Sequence, residues 1–137
     1  MANPGPATTV TTNNIILASN QALRLLGVVK GVNVNATGDT VIPIITATTY
    51  SVANVIMTNA SISLSAALAG VFTAPAAGGT AIVANAALSG LTGPTIVSQR
   101  TIASTVAQTS QTLYVNVGTA QGAAATVDVY VYGYDFS

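Results

Sequence analysis

Charge is what this sequence has least of. Of its 137 residues only 4% are charged, against roughly 25% in an ordinary soluble domain. They are Arg24, Lys30, Arg100, Asp39, Asp128 and Asp135, and the formal net charge is zero. No basic footprint exists for nucleic acid or for an anionic membrane surface, so neither is expected as a partner. Cysteine is absent, which excludes disulfides, thiolate nucleophiles and Cys-ligated metals. Histidine, tryptophan and glutamate are missing as well. General acid–base and nucleophilic catalysis need tunable groups held within hydrogen-bond reach. Three Asp, with no His, do not meet that need. The chain is therefore expected to be no enzyme, with no catalytic residue, no cofactor and no metal site.

Weaker chemical signals reduce to turns. A Ser–Lys pair through Lys30 has no serine marked out for it. Residues 35–40 (NATGDT) contain Asn35 and Asp39, but read as a turn whose Asx side chains bond their own backbone rather than as a calcium loop. The Gly-rich pieces APAAGGT and GTAQG lack the lysine and the strand–loop–helix setting of a phosphate loop. Long hydrophobic runs are also missing: no segment holds ~18 consecutive apolar residues. An outer-membrane barrel would need export, longer strands and two aromatic girdles. The opening MANPGPATTVTTNN has neither the basic nor the apolar region of a signal peptide, so synthesis in a cytoplasm is expected.

Near-zero charge works against colloidal solubility and removes the usual Lys guard of exposed sheet edges. A β protein of this composition is safer with its edges covered by neighbours, which favours an assembly component.

What is present is pattern. Half of the chain is hydrophobic, and residues 112–136 (TLYVNVGTAQGAAATVDVYVYGYDF) alternate at period two. Leu113, Val115 and Val117 oppose Tyr114 and Asn116; Val127, Val129 and Val131 oppose Asp128, Tyr130, Tyr132 and Tyr134. Such alternation marks strands with two different environments. It reads as a β-hairpin looping around residues 120–124, with an aliphatic face in the core and a tyrosine stripe opposite.

Upstream, residues 1–13 are Pro- and Thr-rich and read as an extended arm. Strand candidates follow at 14–18 (NIILA) and 23–34, the latter with Gly27 and Gly31 as bulges or close-approach points. Residues 41–45 form a third, with Pro43 marking an edge or a strand end. Residues 50–59 (YSVANVIMTN) are apolar on both faces and should be central. Residues 69–73 and 80–84 flank PAAGG as a hairpin with a five-residue loop. Residues 61–68 fit a strand or one helical turn, and 84–88 a strand extension or short helix. Residues 91–94 (LTGP) make a turn, and 95–97 and 101–106 are the remaining strand candidates. Eight to ten short strands with turn signals every ~8–12 residues predict an all-β sandwich or barrel over residues 14–137.

The candidate interface is Tyr114, Asp128, Tyr130, Tyr132 and Tyr134. Tyrosine combines a flat apolar ring with a hydroxyl, which suits a second buried layer, a subunit or partner contact, or a carbohydrate platform. Asp128 on that face should accept hydrogen bonds or pair with an Arg.

The stretches YSVANVIMTNASISL, GVFTAPAAGGTAIV and TLYVNVGTAQGAAATVDVYVYGYDF resemble small structural proteins of tailed bacteriophages that decorate or cement the capsid. The likeness runs from Tyr50 to the C-terminus, with GGTAIV and TAQGAAAT its most specific pieces. It implies a jelly-roll-like antiparallel sandwich of about eight strands that forms a homotrimer on the outer surface of the virion. It further implies contact with the major capsid protein, and an N-terminal arm laid along that protein. The alternative it leaves open is a head-fibre or tail-associated module that binds host glycan. The resemblance carries no catalytic motif.

Overall fold

The computed structural model describes residues 23–137; the arm at 1–13 and the strand candidate at 14–18 lie outside the described residues. The strands are β1 (Arg24–Asn33), β2 (Gly38–Pro43), β3 (Tyr50–Thr58), β4 (Leu68–Ala74), β5 (Gly78–Ala87), β6 (Val97–Arg100), β7 (Thr112–Thr119) and β8 (Thr126–Asp135). Among the described residues there is no helix. The strands form two four-stranded antiparallel sheets, ordered β1-β8-β3-β6 and β2-β7-β4-β5. Their pairing is nested: β1 with β8, β2 with β7, β3 with β6 and β4 with β5. The fold is an all-β sandwich, as the alternation and turn spacing predict.

The core lies between the two sheets. Val127, Val129 and Val131 enter it from the first sheet and Leu113, Val115 and Val117 from the second, all buried. Val52, Val55 and Met57 of β3 join them. A bulge between Val52 and Asn54 keeps the buried residues of β3 on one face despite their uneven spacing. With β8 on one side and β6 on the other, β3 is central, as its two apolar faces predict.

The two glycines of β1 serve different ends. Register shifts fall between Leu25 and Gly27 and between Val29 and Val32. A Cβ on Gly27 would stand 2.8 Å from Ile42 Cγ2 and Ile44 Cδ1, so its bare backbone lets β1 close against the β2 side. Gly31 sits in the second bulge at φ +68°, a conformation that costs glycine little. β2 is an edge strand and ends at Pro43, where a residue with no amide donor is tolerated.

Several expectations are corrected. The C-terminal strands are not a hairpin: β7 belongs to the second sheet and β8 to the first. Alternation shows which face is buried, not which strand lies alongside. Two strands with inward aliphatic faces can equally face each other across the core. The linker at 120–125 crosses the gap between sheets, which is ~10 Å in sandwiches. Gln121 holds it down: its amide donates to the Val34 carbonyl, and its side-chain oxygen accepts from the Ala66 and Ala67 amides.

The β4–β5 turn takes three residues rather than five, because Gly78 and Gly79 already belong to β5. Residues 84–87 extend β5, and 61–67 form neither strand nor helix. β6 replaces both candidates near it: Thr95 lies in the turn closed by Ile96 N on Gly93 O. After Arg100 the chain leaves the ladder, and Ala103 N donates to Ile82 O of the opposite sheet.

Candidate functional site

The outward side chains of β8 define the outer face of the first sheet. In an antiparallel pair, directly opposed residues project to the same side. Tyr130 therefore lies in a row with Val28 of β1 and Ile56 of β3. Tyr132 lies in a row with Leu25 and Asn54, and Tyr134 is opposite Ser51. Tyr130 and Tyr132 are half-buried; Tyr134 is 39% exposed and Leu25 42%. The face is aliphatic and aromatic at its centre. Amides stand at its β6 side, where the Gln99 side chain donates to Asn54 Oδ1.

Asp128 is the polar end of this row and is buried at 7% exposure. Its Oδ1 accepts from Gly31 N at 2.8 Å and its Oδ2 from Asn59 Nδ2 at 3.0 Å. Both donors come from αL positions, Gly31 at φ +68° and Asn59 at φ +56°. The carboxylate thus shapes the β1 bulge and the exit of β3. It accepts hydrogen bonds, one of the two roles expected of it; Arg24 Nη1 lies 3.1 Å from the other carboxylate of β8, Asp135 Oδ2.

Tyr114 does not belong with the others. It lies on the outer face of the second sheet, between Val41 of β2 and Phe72 of β4. Phe72 is buried at 6% exposure, while Val41 is half exposed. Beside this row runs a polar chain: Asn85 Nδ2 donates to Asn116 Oδ1, and Asn116 Nδ2 to Asp39 Oδ1. Asp39 Oδ2 accepts from Ala76 N at 2.8 Å, tying the β4–β5 turn to β2 across β7. The five candidate residues thus divide four to one between opposite faces.

Sequence reasoning missed Tyr50, Gln121 and Arg100. Tyr50 is fully buried, and its hydroxyl donates to the Ser110 carbonyl; burial pushes the phenol up to about 12. Its place at the head of an otherwise apolar strand is the only signal of this. Arg100 donates to Ser98 Oγ and to the Ala87 carbonyl of β5, stitching β6 to the opposite sheet. Burial lowers its pKa, and its Nε is enclosed without a partner.

Among the described residues no three His, Cys, Asp or Glu side chains gather as metal ligands would. The outer face of the first sheet presents flat rings, branched aliphatics and neutral amides. No family model matches the chain, and no curated protein or solved structure matches it.

Proposed function

We propose that the protein is a virion structural protein, a capsid decoration or cement protein of a tailed phage. It is made in the host cytoplasm, acts as a homotrimer on the outside of the head, and bridges subunits of the major capsid protein without catalysis. The observation that carries this reading is the outward row of Leu25, Val28, Ile56, Tyr130, Tyr132 and Tyr134, exposed at Leu25 and Tyr134 and half-buried between them, on a sandwich with so few charges. Interfaces are enriched in tyrosine and depleted of Lys, Glu and Asp at their centres. The nested strand pairing supports reading the sandwich as a jelly roll. The mechanism is mass action: a protein that binds the assembled shell and not its separated subunits stabilises the shell.

The test is to add purified protein, sized by sedimentation, to expanded shells that lack it. A trimer that binds saturably is expected. Absence of binding removes the reading. Tyr130→Ala should weaken binding about 30-fold or more, the effect of losing a central aromatic anchor worth about 2 kcal/mol.

A second reading has its own support. Outward tyrosines beside Asn54 and Gln99 offer ring faces and neutral amides together, which suits a sugar, and a head-fibre or tail module would use them so. A glycan array resolves it: binding lost in both Tyr130→Ala and Tyr132→Ala favours this role, and binding kept in both places the sugar elsewhere.

A further inference from the structure

Six charged residues offer few pairings, and one half-buried cation is left without a counter-charge. Arg24 lies against Asp135, and Asp128 accepts from the neutral donors Gly31 N and Asn59 Nδ2. Lys30 is exposed, where water solvates an ammonium well. Arg100 is half-buried, yet its partners are a hydroxyl and a carbonyl. Among the described residues no carboxylate pairs with it. A guanidinium has five N–H donors. Nε is enclosed and each Nη donates once, so one N–H on each Nη is left for an acceptor from outside the chain. A cation drawn partly out of water gains most from an opposite charge brought to it.

The complementary charge sits on the far side of the molecule. Asp39 is exposed on β2, and its oxygens accept only from Asn116 Nδ2 and Ala76 N, both neutral. β1 and β2 are the outer strands of the two sheets on one flank, where Ile42 and Ile44 stand against Gly27. β6 and β5 are the outer strands on the other flank, tied together by Arg100. Each charge has an exposed aliphatic neighbour on its own strand: Val41, 50% exposed, near Asp39, and Val97, 64% exposed, near Arg100. We infer that copies of this chain pack head to tail, the Arg100 guanidinium of one on the Asp39 carboxylate of the next. Val97 of the first copy then lies near Val41 of the second. A two-fold contact through either flank would set a charge against its own like, which is unfavourable. A head-to-tail contact joins opposite charges and closes into a ring. In a ring of three, every Arg100 and every Asp39 is used. The inference rests on the homotrimer reading above and names the contact that would build it.

The test is sedimentation of the full chain across a dilution series, with circular dichroism to confirm that each variant is folded. Arg100→Gln and Asp39→Asn remove charge while keeping polar side chains in place. Each should raise the concentration of half-dissociation roughly tenfold or more. Their combination should do no more than the worse of the two, because either one already breaks the same contact. Within one chain the residues lie on opposite flanks, so such non-additivity arises between copies. Exchanging the charges gives a second readout: Arg100→Asp alone should dissociate the trimer, and adding Asp39→Arg to it should restore the trimer. A trimeric parent whose dissociation is unmoved by the single variants, or moved additively by the double one, overturns the contact and leaves the homotrimer reading standing. A parent that stays monomeric at every concentration overturns both.

Discussion

Tyr50 and Asp135 show how single side chains carry weight in a molecule with few ionic groups. The Tyr50 hydroxyl reaches the Ser110 carbonyl at 2.5 Å, and Tyr50→Phe should cost about 1–2 kcal/mol in urea unfolding by orphaning that carbonyl. Its folded value of about 12 stands above the ~10 of an unfolded tyrosine. The contribution is therefore complete below pH ~10 and lost as pH rises through about 12. Stability measured across that window should fall less in Tyr50→Phe than in the parent. Asp135 has the opposite sign. Hydrogen bonds from the Ser137 hydroxyl and then the Ser137 amide hold its carboxyl below the usual range; burial opposes them, and the Arg24 charge adds to them. Its contribution is present above the ordinary carboxylate value and is lost as pH falls through the lowered one. Asp135→Asn should flatten the acid limb of the stability profile, as followed by circular dichroism.

At the scale of elements, two close approaches decide whether strands meet. A Cβ on Gly133 would stand 2.0 Å from the Ser51 carbonyl oxygen and 2.8 Å from Leu26 Cδ1. Backbone cannot yield as a side chain can, so Gly133→Ala should destabilise by about 3 kcal/mol, the upper range for overpacking, in denaturant titration. Gln121 governs the crossing between sheets. Gln121→Ala strips the Ala66 and Ala67 amides of their acceptor and should cost about 1–3 kcal/mol. Its amide-exchange signature should be confined at first to residues 61–67 and 120–125. These are also the places where sequence reading stopped short. The valines of β8 announce their burial by spacing alone. A glutamine among alanines and glycines announces nothing until two other loops close around it.

For the whole molecule, the scarcity of charge sets the character of any contact it makes. The tyrosine face can associate through apolar area and neutral hydrogen bonds, which salt screens little. Binding to shells lacking the protein should change by less than about tenfold between roughly 0.05 and 0.5 M salt, measured by co-sedimentation. A steep loss over that range would mean that the ionic groups, not the tyrosine face, carry the contact.

By itself the sequence determined the class of the fold, the inward residues of β7 and β8 and the central place of β3, and it marked the β1 glycines as bulges or close approaches and Pro43 as an edge or a strand end. Each depends on local physics: side-chain period, glycine's freedom and proline's missing amide. Only the tertiary structure decided that β7 and β8 lie in opposite sheets, that Tyr114 is parted from the other tyrosines, and that Asp128 is spent on a bulge. Those outcomes turn on which strand lies beside which. A pattern along one strand is the same for every partner that could cover it, so the choice is made by the packing of the whole chain.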